Sequence, residues 1–306
     1  MIPAPVSPEQ RGETVDVKNL LNTKEIAAYL KINEKKVYQL IQEGSIPCTR
    51  ATGKWLFPLG QINRWLEEQT ELTKSILIAG SDDPLLVNLI EEFNQIHFPK
   101  QLIFHAAVGS QKGLTALAAG KAQIAGVHLF HPPTGQYNIP YVEKHLAGKK
   151  FIIVNLAYRR QGLLVQSGNP HNLQKLSDLT RKKTRFINRN PGSGTRYLFD
   201  FLLEKEHLTS NRINGYDTER VTHLETGLEI LKGNADAGMG IEYVAHLLNL
   251  DFVPLIEERF DLVAMKDSFS APPLSSFFAF LEPERLTLKT ATFKGYDFRS
   301  CGSILS

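Results

Sequence analysis

The chain has 306 residues, with 35 Lys and Arg against 32 Asp and Glu and a formal charge of +3. That length suits one small module and one substantial α/β unit, or three compact lobes, each burying its own core, and a charge so close to balance gives no argument for nucleic-acid binding by itself. Two distant cysteines, Cys48 and Cys301, exclude a disulfide framework and a cysteine-based zinc site, and runs such as Phe151 to Tyr158 are too short to cross a bilayer. With no apolar export segment after Met1, a soluble cytoplasmic protein without membrane contact is expected.

Residues 1–18 mix Pro, Gly and charge without periodicity, as in a flexible arm. The pattern sharpens at Leu20. Asn22 is placed to cap a helix, Glu25 completes a capping box, and Ile26, Ala27 and Leu30 share one face, which predicts a helix of about ten residues. Asn33 offers a second cap, and Val37, Leu40 and Ile41 form the inner face of a second helix that ends at Gly44. Two short helices joined by a tight turn make a helix-turn-helix. Ser45 to Pro58, two apolar-aromatic runs around a Thr-Gly turn, predicts a hairpin wing, and Ile62, Trp65 and Leu66 a closing helix. Charged residues 67–74 then form a linker, so this module spans residues 19–72.

Leu-Asn-Thr-Lys-Glu-Ile-Ala-Ala-Tyr-Leu-Lys (21–31), Val-Tyr-Gln-Leu-Ile-Gln-Glu-Gly-Ser-Ile-Pro (37–47) and Lys-Trp-Leu-Phe (54–57) resemble the excisionase-type branch of the MerR-like winged helix-turn-helix domains. The resemblance implies that the outward face of the second helix enters the major groove of double-stranded DNA. Its DNA-binding residues would be Lys35, Lys36, Tyr38 and Gln39, with Arg50 and Lys54 beside the wing tip. One module offers few phosphate contacts, so a homodimer on paired half-sites is expected.

From Ser75 onward, strand-like runs alternate with small-residue turns and helical stripes, beginning with Ser75 to Ala79, Gly80-Ser81 and Leu85 to Phe93. Further strands are expected at 102–108, 124–129, 151–160, 162–166, 185–188, 235–241, 252–255 and 260–265. This alternation predicts an α/β unit of open, mostly parallel sheets with helices on both faces. Three turns, at Gly80-Ser81, Gly109-Ser110 and Asn190 to Arg196, precede helices. Unpaired helix N–H groups, approachable glycines and hydroxyl donors would together hold an oxyanion if the turns converge. The candidate ligand-binding residues are Ser81, Ser110, Gly192, Ser193, Gly194, Thr195 and Arg196, although Arg196 could equally pair with a carboxylate. Asp82 and Asp83 either face the cleft, where they would repel a dianion, or cap the helix from outside.

His128-Leu129-Phe130, Val154 to Gly162, Phe186 to Arg189, Gly192 to Arg196 and Ala235 to Glu242 resemble the periplasmic-binding-protein-like domains found fused to such winged helices. The resemblance covers residues 75–283. It implies a two-lobed type II domain over residues 73–306, with the second lobe at about 159–258, two crossovers, and a small anionic ligand between the lobes. Related domains occur with molybdopterin-biosynthesis enzymes, which puts molybdate or tungstate first.

The resulting expectation is a ligand-responsive transcriptional regulator that is not an enzyme, with no cofactor and no bound metal. The glycine-rich segment lacks the lysine of a phosphate-binding loop, no nucleophile elbow is present, and the histidines are scattered. The alternatives are an enzyme or accessory factor of molybdenum cofactor metabolism, and an architectural excision factor whose large unit only mediates assembly. A cleft filled by the protein's own groups would favour the latter.

Overall fold

The computed structural model describes residues 20–51, 53–69 and 75–305, and the arm expected over residues 1–18 lies outside them. The chain divides into two units, Met1–Thr73 and Lys74–Ser306.

In the first unit the capping chemistry sets the helix starts. The Asn22 carboxamide oxygen accepts from the N–H groups of Lys24 and Glu25 at 2.9 and 3.0 Å, while the Glu25 carboxylate accepts from Asn22 N–H at 2.8 Å. The first helix, Thr23–Tyr29, is shorter than expected, because Lys31 turns the chain at a φ of 54°. Asn33 caps the second helix, Glu34–Gln42, through the Lys36 N–H at 2.8 Å. The wing pairs Thr49–Ala51 with Lys54–Pro58, and a three-residue strand, Leu20–Asn22, joins its other edge. Ile26, Val37, Phe57 and Ile62 are fully buried between these elements and the closing helix, Leu59–Gln69. Each contributes on the order of 1.5–3 kcal/mol by leaving water.

The second unit is built on one hydrogen-bonded sheet with two parallel halves. Ser75–Gly80 lies parallel to Leu102–Ala107 and Ile124–Val127, and Phe186–Arg189 lies parallel to Glu219–Arg220 and Ala237–Ile241. Between the halves run two long antiparallel strands, Phe151–Val165 and Asp251–Met265. Phe151–Val165 pairs through residues 161–165 with Ala237–Ile241 of one half, and Asp251–Met265 through residues 261–264 with Ile124–Val127 of the other. They are the two crossovers that the resemblance implied, and they divide the unit into two lobes.

Each long strand was expected as two separate ones. The apolar pattern breaks at Arg159, Gln161, Glu257 and Glu258, yet the backbone pairing runs through this polar stretch. Arg159 stands directly opposite Glu258 in the register, and both side chains are fully buried. Arg159 Nε donates to Glu258 at 2.5 Å, and Nη1 donates to Asp83 at 2.5 Å. The Tyr296 hydroxyl reaches the same Asp83 oxygen at 2.7 Å, bringing in the C-terminal segment, and the Arg159 guanidinium lies 4.7 Å from the Phe260 ring. A break in apolar pattern that looks like a strand end is here a buried ion pair satisfied across the ladder.

Removing one member of such a buried pair leaves the others charged and unmatched. Arg159→Met is expected to destabilise the second unit by about 3–5 kcal/mol, read as a fall in its urea midpoint with an unchanged slope.

Candidate functional site

Three turns, at residues 80–81, 109–110 and 190–196, meet at the mouth of the crossing strands. The Ser81 and Ser110 hydroxyls are 2.6 Å apart, and Ser110 Oγ also accepts from the His128 backbone N–H at 3.2 Å. Gly109 has a φ of 87°, and a Cβ there would stand 3.2 Å from the Gly192 carbonyl oxygen, so the second and third turns touch. Gly194 is tighter still. A Cβ at this position would meet the His128 ring and carbonyl oxygen at 2.6 Å, so only hydrogen fits.

The hollow these turns enclose has a volume of about 10 Å³ and is lined by Ser81, Asp82, Gly109, Arg189, Asn190 and Ser193, among others. This is room for about one water, so a tetrahedral anion enters only when the walls part. Ser81 and Ser193 line the hollow. Ser110 lies behind Ser81, Gly192 and Gly194 form the lobe contact, and Thr195 Oγ1 accepts from Gln161 at 3.0 Å.

Arg196 does not line the hollow. Its guanidinium is spent on Asp200 at 3.1 Å, Glu219 at 3.0 Å and the Tyr216 ring at 4.3 Å. Residues four apart share one face of a helix, which puts Asp200 within reach of Arg196. The cation at the hollow is Arg189, at the end of its strand and buried. Its Nη2 donates to the Val221 carbonyl at 2.6 Å, while Nε and Nη1 have no partner among the described residues. Burial above all, with repulsion from Arg159, pulls Arg189 down to about 10, which leaves it charged at neutral pH.

The two neighbouring carboxylates part company. Asp83 caps the helix Pro84–His97 through Leu86 N–H at 2.8 Å and points inward to Arg159. Asp82 faces the hollow and accepts from His223 N–H at 3.3 Å, at the start of the helix His223–Leu231. Burial pushes its carboxyl above the ordinary range in spite of Arg189. Behind the hollow, His128 Nδ1 lies 2.9 Å from Glu258. Burial alone would raise Glu258, but Arg159 and His128 hold it down at about 2. His223 is fully buried with both ring nitrogens unpartnered among the described residues, and desolvation followed by repulsion from Arg189 and Arg159 depresses it well below the ordinary histidine range.

No serine of the hollow is hydrogen bonded to a histidine ring among the described residues, and no His, Cys, Asp or Glu cluster there could hold a metal ion. What converges is a set of hydrogen-bond donors, which suits binding. Arg189, His223, Arg159 and Glu258 escaped the sequence reading as site residues. The signal was there in part, since Phe186-Ile187-Asn188-Arg189 ends a buried strand with a cation.

In the first unit Lys35, Lys36, Tyr38, Gln39, Arg50 and Lys54 are all exposed. Lys36 Nζ donates to Gln39 at 3.1 Å and Gln39 donates to Glu43 at 2.7 Å, a chain that fixes the Gln39 amide along the outer face of the second helix. Arg50 lies 5.5 Å from the Trp55 ring. No described helix is long and apolar enough to cross a membrane.

A helix-turn-helix family profile matches residues 20–70 and a PBP superfamily profile matches residues 91–282. The uncharacterized protein YvgK of Bacillus subtilis is 29% identical over 303 residues, covering 92% of this chain and 96% of its own length. Among solved structures, a protein described as a phosphate ABC transporter substrate-binding protein from Clostridium perfringens, with bound phosphate, aligns with a TM-score of 0.55 at 15% identity. It covers 72% of this chain and 98% of its own. The tungstate ABC transporter structure from Geobacter sulfurreducens aligns with a TM-score of 0.53 at 14% identity, over 71% and 98% of the two chains. At these identities the structural likeness is one of fold.

The buried histidines set a pH dependence. A histidine whose folded value is depressed contributes stability that is present above its unfolded value near 6.5 and is lost as pH falls below it, because only the unfolded chain takes the proton. His128 and His223 both act in this sense, and the raised Asp82 acts in the opposite one. The urea midpoint is therefore expected to fall between pH ~7 and ~5, with His223 alone worth up to about 1.4 kcal/mol per pH unit, and His223→Asn should flatten that slope.

Proposed function

The chain belongs to the PBP superfamily, and from that premise we propose that it is a DNA-binding transcriptional regulator whose two-lobed unit senses a small tetrahedral oxyanion. It is not an enzyme in this reading, and it acts in the cytoplasm as a homodimer. One observation carries the ligand class: the buried Arg189 lines a hollow framed by three Gly and Ser turns, and its Nε and Nη1 have no hydrogen-bond partner among the described residues. Unpaired donors in a desolvated place favour an anion over a neutral guest. The resemblance to molybdate-receptor-like domains puts molybdate and tungstate forward, and the fold neighbours named for phosphate and tungstate add phosphate to the set.

The helix-turn-helix supplies the DNA contact, with Lys35, Lys36, Tyr38 and Gln39 on the recognition face of an excisionase-type, MerR-like head and Arg50 and Lys54 at the wing. The ligand is coupled to DNA only through a difference in its affinity for two arrangements of the lobes. The water-sized hollow supports a second reading, in which the large unit serves assembly alone, because a cleft already filled by protein has no guest to sense.

A mobility-shift titration separates the two. On a duplex from the DNA upstream of its own gene, at least one of molybdate, tungstate and phosphate is expected to change DNA affinity about fivefold or more, and Arg189→Gln to bind DNA normally without responding. If none of the three has an effect, the assembly reading stands. Arg50→Ala is expected to weaken binding to all duplexes alike and to reduce the slope of log K against log salt by about one.

A further inference from the structure

The hollow adjoins a much larger space. Asp82 lines it and also lines a groove of about 1010 Å³, and Val221 of the hollow is followed in the chain by Thr222 of the groove. Gly109 against Gly192 and Gly194 against His128 close the seam on their sides, so a substituent on an anion held by Arg189 passes over the Asp82 and Thr222 rim into the groove. We propose that the groove is the second half of the ligand site and that the guest is an organic oxyanion of the phosphate-ester or phosphonate type. Its anionic head lies at Arg189, and an uncharged, largely apolar body lies along the groove. This rests on reading the hollow as an oxyanion site.

The lining fits a body of that kind. Its apolar side chains are Val87 from the helix Pro84–His97, Leu224, Tyr243 and Leu247 from the second lobe, and Leu288 and Phe293 from the C-terminal segment. Leu224, Leu247 and Leu288 are 40, 55 and 83% exposed, although three separate segments bring them to one groove. Leucines left in water around a single concavity leave apolar area that an apolar guest removes from water. The charged side chains there are spent on one another. Glu92 bridges Arg285 and Lys289, and Lys289 Nζ also donates to Asn88 at 2.8 Å. With Glu91 alongside, two cations meet two glutamates, so a second anionic group on the guest finds no uncompensated charge. The groove also has a wall in each lobe: Val87 belongs to the first, which Glu92 ties to the C-terminal segment, while Leu224 and Leu247 belong to the second. A body between these walls touches both lobes and so distinguishes their arrangements. The groove is open while the hollow has room for about one water, which gives the body a place to dock before the lobes part for the head.

Titration calorimetry of the full chain with inorganic phosphate and with n-alkylphosphonates from methyl to hexyl tests this, because the head stays constant while the body grows. Affinity is expected to rise about two- to fourfold per methylene, and at least about tenfold from methylphosphonate to hexylphosphonate. Leu224→Ser and Leu247→Ser, both at exposed positions, should each lower the hexyl-to-methyl affinity ratio at least about threefold. Leu231→Ser, on the same helix as Leu224 but outside the groove, should leave the ratio unchanged. Arg189→Gln should lose the whole series together. A ratio near one, or a ratio unmoved in both folded groove variants, overturns the proposal, and binding of methylphosphonate then leaves the oxyanion site standing. Hexylphosphonate held equally well by Arg189→Gln also overturns it, since groove and hollow would then be separate. So does a change in sedimenting mass of the groove variants with the ratio unmoved, which gives the groove to a second copy of the chain. If neither phosphate nor any phosphonate binds, the oxyanion reading falls and the proposal with it.

Discussion

Arg159 holds the second unit together at its narrowest point. A guanidinium with no exposed surface is tolerated only when its charge is met, and here Glu258 meets it at Nε across the strand ladder while Asp83 meets it at Nη1 from the first lobe, Nη2 being left without a partner among the described residues. Each partner does a second job. Glu258 fixes the His128 ring, against which Gly194 of the second lobe packs, and Asp83 caps the helix Pro84–His97 and anchors Tyr296 of the C-terminal segment. The positions of the lobes, the capped helix and the chain's last strand are thus referred to one side chain. Apolar residues at the crossing could be as stable. They would not set the angle of each partner, whereas a forked donor accepts carboxylates only in its own plane.

How much of this was legible follows from the range over which each force acts. Caps at Asn22 and Asn33 were readable because a cap joins residues two or three apart. The three turns were readable because Gly and Ser before an apolar stripe carry a local meaning, and their convergence, only conditional in the sequence, is met in the fold. The partners of charges were not readable. Arg196 lies in the glycine-rich turn and looks like the ligand's cation, yet Asp200 and Glu219 claim it, whereas Arg189 closes an ordinary buried strand and keeps Nε and Nη1 without a partner among the described residues. The continuity of the two crossing strands failed for the same reason. A polar run in a strand reads as an end unless the opposing residue is known, and Glu258 lies 99 positions from Arg159.

The two adjacent acids, Asp82 and Asp83, show how one peptide unit separates structure from specificity. Alternation of direction in the extended entry to the helix sends the second carboxylate inward to the buried guanidinium and the first outward to the seam between lobes. Sequence gave them a shared fate, cleft or cap. The fold assigns one to each.

The closeness of the lobes has an energetic consequence for any sensor built this way. Gly109 against Gly192 and Gly194 against His128 leave no slack, so a guest as large as a tetrahedral anion binds an arrangement other than this one. Its apparent affinity is then the intrinsic one reduced by the fraction of molecules already parted, and the free energy spent on parting is unavailable for affinity but available for signalling. A coupling of about 1–3 kcal/mol, the usual range, needs a guest that gains at least that much from Arg189 and the turn amides beyond what the closed seam loses. Desolvated charge-assisted hydrogen bonds are the contacts strong enough to supply it, which is why one unpaired guanidinium matters more to the proposed function than the three hydroxyls around it.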